Sequence, residues 1–331
     1  MVELRGDELV FRFPEVHAAA VCRIGFQRTL RIPDDNRDYP LPPGLGRFPL
    51  RRVDDHLDRA PDGWGRHGGV FLPMYQAESL WLHFSTSYPM AVKVAAGKVD
   101  AVTGEGWTDE LSPRPQNYLA VPDQPWLDGF CVGKGLIRQF VAMPLGRGFT
   151  AEEQLTGEAQ HGGLQIVVYP MQAARYEAWQ KERSERLVSY GPVAGADPSG
   201  PAEMGLAPGG LMRQQIYRDE YGFDAWARAA RSRCFVHILN SVQFLRVSGA
   251  APPAKPPTAR EYSDAGLPWF EHYGGDLTAL DGARKLAGLD SVAAMKLKKG
   301  EGVLADNDPV QPAPPTIVRT SGAHRVREGE F

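Results

Sequence analysis

Short runs of alternating apolar and polar residues recur through the first half of the chain. In residues 21–32, VCRIGFQRTLRI, the apolar side chains fall on one face, and arginine, glutamine and threonine fall on the other. Period-two alternation is typical of a half-buried β-strand. Further strands are predicted at residues 79–85, 117–121, 128–132, 136–143 and 162–170, with a hairpin over 90–105. Short strands joined by turns predict an antiparallel β-sandwich-like region over residues 1–172.

The pattern changes after this region, and the fold predicted overall is mainly β within an α+β class. Residues 173–205 combine a charged helical segment with a linker rich in glycine and proline. A smaller α+β part that packs on the first region is predicted over residues 206–300. An extended tail is predicted over residues 301–331.

Three finer predictions concern the loops and the second half. Residues 33–50 contain five prolines and two glycines, which predicts an extended loop without regular structure. A short helix is expected over 223–232 and a β-like run over 233–247. One or two helices are expected over 276–299, with Asp276 and Asp290 as N-caps.

Composition narrows the class of protein. The chain has 331 residues, of which 43% are hydrophobic and 23% are charged, and its formal net charge is -3. These values are typical of a soluble globular protein and give no general attraction to nucleic acid. The sequence has no 18-residue apolar run, and acidic residues interrupt its first ten positions. We therefore expect no membrane insertion, no signal peptide and a cytoplasmic location.

The metal-ligating and nucleophilic residues are scattered. Cys22, Cys131 and Cys234 are odd in number and far apart, and no HxH, HxxxH or HExxH spacing occurs. The sequence therefore predicts no disulfide framework, no metal site and no cofactor. Candidates for catalysis are Asp128 and Cys131, which lie close together in sequence, and His161, which lies beside two glycines.

Residues 129–135, GFCVGKG, resemble a phosphate-binding loop at first sight. A Walker loop needs four residues between its first glycine and the Gly-Lys pair, and a Ser or Thr after the lysine. Here three residues separate Gly129 from Gly133, and Gly135 follows Lys134. A β-like run comes next, whereas a Walker loop opens a helix. The stretch is therefore predicted to be a hairpin turn.

Loop tryptophans give the strongest binding signal in the sequence. Trp64, Trp107, Trp126 and Trp269 each lie among glycine, proline or acidic residues. Aromatic side chains beside polar groups are common at binding surfaces, although they also cap β-sandwich cores. A second signal is the apolar and basic segment of the tail, PPTIVRTSGAHRVREGEF, which resembles peptides that add a strand to a neighbouring sheet.

Long phrases of the sequence resemble a family of uncharacterised bacterial and fungal proteins. They include QPWLDGFCVGKGLIRQFVAMPLG and GGLQIVVYPM, and the resemblance spans roughly residues 20–275. It implies one integrated unit. It carries over no catalytic residue, because no established activity comes with it.

Three functions stay open. We favour a non-catalytic binding or self-assembly protein that uses the loop tryptophans and the C-terminal arm, with a second copy or another protein as partner. The first alternative is a hydrolase of peptides or sugars, with a cleft near Trp126, Asp128 and His161. The second alternative is a carbohydrate-binding module that presents Trp64, Trp107 and Trp126 on one face.

Overall fold

The computed structural model describes residues 1–183, 203–273 and 277–319. Its strands are β1 Val2–Arg5, β2 Glu8–Arg12, β3 Val21–Thr29, β4 Asp38–Tyr39, β5 Gly44–Arg47, β6 Arg51–Arg52, β7 Val70–Met74, β8 Ser79–Ser85, β9 Met90–Ala96, β10 Val99–Asp100, β11 Leu119–Val121, β12 Trp126–Leu127, β13 Gly129–Gly133, β14 Leu136–Pro144, β15 Leu164–Pro170, β16 Glu203–Arg213, β17 Ser232–Asn240, β18 Phe270–Tyr273 and β19 Thr316–Arg319. Its helices are α1 Trp64–His67, α2 Ala151–Thr156, α3 Ala173–Arg183, α4 Ser241–Ser248, α5 Ala259–Asp264, α6 Arg284–Ala287 and α7 Val292–Lys298, with 3₁₀ turns at Val53–Asp55 and Phe223–Ala225.

Antiparallel pairing dominates the structure. Strands β1 to β17 form one large sheet, and β18 pairs with β19 in a small parallel sheet. The first half of the large sheet follows the order β1, β2, β3, β8, β14, β16, and the second half follows β17, β15, β9, β11. The halves join where the start of β16 pairs with the end of β17. The mainly β, antiparallel fold is therefore as predicted.

The main hydrophobic core lies between the two halves, and two smaller apolar clusters lie outside it. Phe26 and Leu82 point into it from the first half, and Val94, Ile166 and Val236 point into it from the second. All five are at most 1% exposed. Because both halves bury side chains in one cluster, the sheet must curve until its halves face each other, which gives the sandwich-like architecture.

Most predicted strands appear with small changes at their ends, since β3, β8, β9, β11, β13, β14 and β15 occupy the predicted ranges. The loop predicted over 33–50 is wrong in part, because it contains β4 and β5. These strands are only two and four residues long, and they pair with β16 and β3. Pairing with longer neighbours supplies the hydrogen bonds that such a proline-rich segment cannot make alone.

The β-like run predicted over 233–247 is half correct. β17 ends at Asn240, and α4 begins at the next residue. The side chain of Asn240 accepts a hydrogen bond from the backbone N–H of Val242 at 3.0 Å, so it caps the helix. The helix expected over 223–232 is reduced to a 3₁₀ turn at Phe223–Ala225.

The N-cap predictions near the C-terminal helices need one correction. Helix α7 begins after Ser291, whose hydroxyl accepts from the N–H of Ala294, so Asp290 is not the cap. The aspartate instead pairs through its carboxylate with Lys298. Asp276 lies outside the described residues, as do parts of the predicted linker and tail.

Strands β16 and β17, which follow the predicted first region, belong to the same large sheet as that region, whereas β18 belongs to the small parallel sheet. β16 pairs with β14, and β17 pairs with β15. The large sheet therefore continues past residue 172. The described part of the tail ends in β19, which pairs with β18 of the same chain, while Val310 is buried.

The outer face of the first half carries the features that matter for the site. Trp81 and His83 alternate with inward residues of β8, and Trp126 pairs opposite His83. Strand β18 approaches this face, where Phe270 bridges to Leu41. No helix in the three described ranges is long and apolar enough to cross a membrane.

Candidate functional site

The glycine-rich stretch that resembled a phosphate loop is a hairpin, as predicted. β13 and β14 pair in antiparallel register, with Gly133 opposite Leu136. Gly135 has φ +72°, a left-handed conformation that favours glycine. A β-carbon on Gly129 would lie 1.9 Å from the carbonyl oxygen of Arg138, so this glycine permits close strand approach. The glycines therefore serve backbone geometry.

One end of this hairpin borders a cleft with a volume of about 240 Å³. The cleft lies between β12, the segment that follows β16, and β18. Its lining residues are Leu41, Gln124, Trp126, Gly135, Arg213, Gln214, Gln215, Glu271 and His272. Pockets for drug-sized ligands are usually ~300–1,000 Å³, so this cleft suits a smaller molecule.

Trp126 forms the aromatic wall of the cleft. Its side chain is half-buried, and its ring centroid lies 4.6 Å from that of His272 with an interplanar angle of 65°. Trp81 supports the ring with centroids 6.3 Å apart. Edge-to-face contacts of this kind hold aromatic rings in fixed orientations. Trp126 is thus a rigid, partly accessible apolar surface.

Gln124 fixes the two chain segments beside the tryptophan. Its side-chain N–H donates to the carbonyl oxygens of Trp126 at 2.9 Å and Gln215 at 3.3 Å. Its side-chain oxygen accepts from the backbone N–H of Tyr217 at 3.0 Å. The side chain is 2% exposed. These bonds tie β12 to the segment after β16, which sets the width of the cleft.

Asp128 lies behind the cleft wall and is bonded to Gln214. The amide of Gln214 donates to Oδ2 of Asp128 at 2.6 Å, and its oxygen accepts from the backbone N–H of Asp128 at 3.0 Å. Asp128 is 4% exposed. Burial raises the pKa of its carboxyl to about 7, and the bond from Gln214 lowers that pKa by less.

His272 and Arg213 complete the polar side of the cleft. The Tyr217 hydroxyl lies 3.3 Å from Nδ1 of His272, and burial lowers the pKa of the imidazole, which favours its neutral form. Arg213 pairs with Glu271 at 2.9 Å and approaches Asp38 at 3.6 Å. The rim is therefore charged, while the wall is aromatic.

The other three predicted tryptophans occupy different surroundings. Trp64 is 5% exposed, and it stacks on His237 with centroids 4.2 Å apart. Trp269 is fully buried. Trp107 is half-buried, and the Lys93 ammonium lies 4.8 Å from its ring centroid. Because Trp64 and Trp269 lie inside the protein, neither presents a ring to solvent.

The other two catalytic candidates, Cys131 and His161, have different surroundings. Cys131 is 1% exposed, and burial raises the pKa of its thiol to about 12, so the thiolate is scarce at neutral pH. His161 packs instead against His67, with centroids 4.8 Å apart, and against Phe235 at 6.1 Å. Among the described residues, no group of three or more His, Cys, Asp or Glu side chains is arranged to hold a metal ion.

No family model matches the chain, and comparison with curated proteins and with solved structures found no match either. The chemistry of the cleft must therefore be inferred from its own residues.

Sequence reasoning missed most of the cleft. The lining residues Gln124, Gln214 and His272 lie up to 148 positions apart in the sequence. They are neighbours only because β12, the segment after β16 and β18 meet. The one local signal was Trp126 itself, which lies between proline and glycine residues and close to Asp128.

Proposed function

We propose that the protein is a non-catalytic binding protein whose cleft holds a small polar ligand against Trp126, and that a sugar is the ligand class that fits best. The observation that carries this proposal is the pairing of a rigid tryptophan wall with a polar rim of Arg213, Gln215 and Glu271. Sugars have apolar C–H faces and hydroxyl edges, so they need both surfaces at once.

Binding is favoured over hydrolysis because neither nearby carboxylate is placed as a free general acid, since Glu271 on the rim is paired with Arg213 at 2.9 Å. Asp128 is bonded to Gln214 and lies behind the residues that line the cleft. A general acid must come within hydrogen-bond reach of the substrate. The hydrolase alternative is tested directly by incubating the protein with chromogenic glycosides and peptides.

Calorimetric titration of the full chain with a panel of mono- and disaccharides tests the binding proposal. We expect Trp126→Ala to weaken the best ligand by about 30-fold, the effect of losing an aromatic contact of about 2 kcal/mol. Trp179→Ala is the matched control, since this half-buried ring packs on Tyr176 and Tyr221 and does not line the cleft. Equal affinity in wild type and Trp126→Ala, or no sugar binding at all, would refute the proposal.

Self-assembly is a second candidate, supported by the small parallel sheet. β19 adds to β18 within one chain, and Ile317 on β19 is 58% exposed. Exchange of this strand between two copies would give a homo-oligomer. Light scattering of the full chain and of a chain ending at Gly300 tests this, because a monomer in both cases contradicts it. We also propose that the protein is located in the cytoplasm, which cell fractionation tests.

A further inference from the structure

A second cleft, with a volume of about 330 Å³, lies on another part of the molecule. It is bounded by the turn between β7 and β8, by residues 255–258 and by residues 304–306. It shares no lining residue with the cleft beside Trp126. Its volume falls within the ~300–1,000 Å³ range of small-molecule sites.

Arg31 is the most informative residue of this second cleft. Its side chain is 10% exposed. Its guanidinium donates to Oδ1 of Asn307 at 3.2 Å and lies 3.9 Å from the carboxylate of Asp306. A guanidinium has five N–H donors. The described residues therefore leave most of the N–H donors of Arg31 without a hydrogen-bond acceptor. Burial also lowers the pKa of Arg31, as expected for a cation removed from water.

The charges around the cleft favour an anion. Lys255 is exposed at its edge, and Arg31 lines its wall. The carboxylate of Glu78 also lines the cleft, but it accepts a 2.9 Å hydrogen bond from the buried guanidinium of Arg28, which neutralises it. Asp306 is the remaining acid of the lining and is 42% exposed. Asp34 also lies near Arg31, but it is paired with Arg138 at 3.5 Å. Two cations against one unneutralised carboxylate therefore give a local charge of about +1.

The walls of the cleft are partly apolar. Pro256, Pro257 and Leu304 line it together with the charged residues. An apolar wall beside a buried guanidinium matches a molecule that has both an anionic group and a carbon body.

We propose that the second cleft binds a small organic anion, whose carboxylate or phosphate group is held by Arg31 and Lys255. Arginine suits this role because its planar fork matches the oxygens of either group. The site does not depend on the sugar proposal, since the two clefts share no residue.

Thermal unfolding of the full chain tests this inference, with phenyl phosphate, benzoate and inorganic phosphate as probes and sodium chloride at matched ionic strength as reference. We expect at least one organic anion to raise the melting temperature in a saturable way. Comparison of phenyl phosphate with benzoate identifies the anionic group, and inorganic phosphate shows whether the carbon body contributes.

Arg31→Gln should weaken the binding of the effective anion at least tenfold. Arg37→Gln, which changes an exposed arginine, should leave the affinity for that anion unchanged. If Arg31→Gln does not fold, Lys255→Ala, at an exposed position, is compared with wild type instead. This variant should bind the anion more weakly than wild type, with a smaller loss of affinity than Arg31→Gln. The proposal is overturned if no anion exceeds the sodium chloride reference, or if the variants bind as tightly as wild type.

Discussion

Replacement of Asp128 by asparagine should make the protein more stable at neutral and basic pH. Asparagine has nearly the same shape, and its side-chain oxygen can still accept the hydrogen bond from Gln214. Burial raises the pKa of the Asp128 carboxyl from 3.8 to about 7. A difference of about three pKa units corresponds to ~4 kcal/mol, at ~1.4 kcal/mol per unit.

The direction of the effect follows from proton binding. Between pH 4 and pH 7 the folded protein holds a proton on Asp128 that the unfolded chain has released. The contribution of Asp128 to the free energy of unfolding is therefore full below about pH 4 and falls as pH rises to about 7, at ~1.4 kcal/mol per pH unit. Above pH 7 both states are ionised, and the loss stays constant.

Urea unfolding of wild type and Asp128→Asn at pH 5, 6, 7 and 8 measures this contribution. The stability advantage of the variant should grow with each step up to pH 7 and then level off. Asp281→Asn, at an exposed aspartate, is the control and should show no such growth. A constant difference between wild type and Asp128→Asn across this range would refute the assignment of a raised pKa to Asp128.

Three further predictions concern other parts of the fold. Gly129→Ala should destabilise the protein by about 3 kcal/mol in urea unfolding, because its β-carbon would lie 1.9 Å from a carbonyl oxygen of β14. The control Gly106→Ala should have little effect, because there is open space around Gly106. Glu78→Gln should lower the free energy of unfolding by about 3 to 5 kcal/mol, since it removes the carboxylate that pairs with buried Arg28; an unchanged urea midpoint would contradict this. Burial lowers the pKa of His237 from 6.5 to about 4. The free energy of unfolding of wild type should therefore fall by about 3 kcal/mol between pH 6.5 and pH 4 relative to that of His237→Gln, and parallel pH profiles of the two proteins would disprove this.

The success of the strand predictions has a local cause. In β3 and β8 the inward side chains alternate with side chains on the outer face, and this period of two is present in the sequence. β16 was missed because its sequence, EMGLAPGGLMR, combines glycine and proline and contains no β-branched residue. It is held as a strand by β14 on one side, so its conformation depends on a partner more than on its own propensity.

The tryptophans also show that local sequence does not predict which side chains are buried. Each of the four lies in a similar local sequence, yet Trp269 is fully buried and Trp126 borders a cleft. Which ring is covered depends on the segment that packs over it, and that segment is remote in the chain. For Trp126 the covering segment is β18, which contacts it through His272.

The sequence by itself determined the β character of the chain, most of its strands and the hairpin at Gly133–Gly135, because period-two alternation and glycine conformations are local properties. Tertiary structure alone decided the order of strands in the sheet, the burial that raises the pKa of Asp128, and the convergence of Gln124, Trp126, Gln214 and His272 on one cleft. These depend on contacts between segments far apart in the chain, and such contacts leave no regular spacing in the sequence.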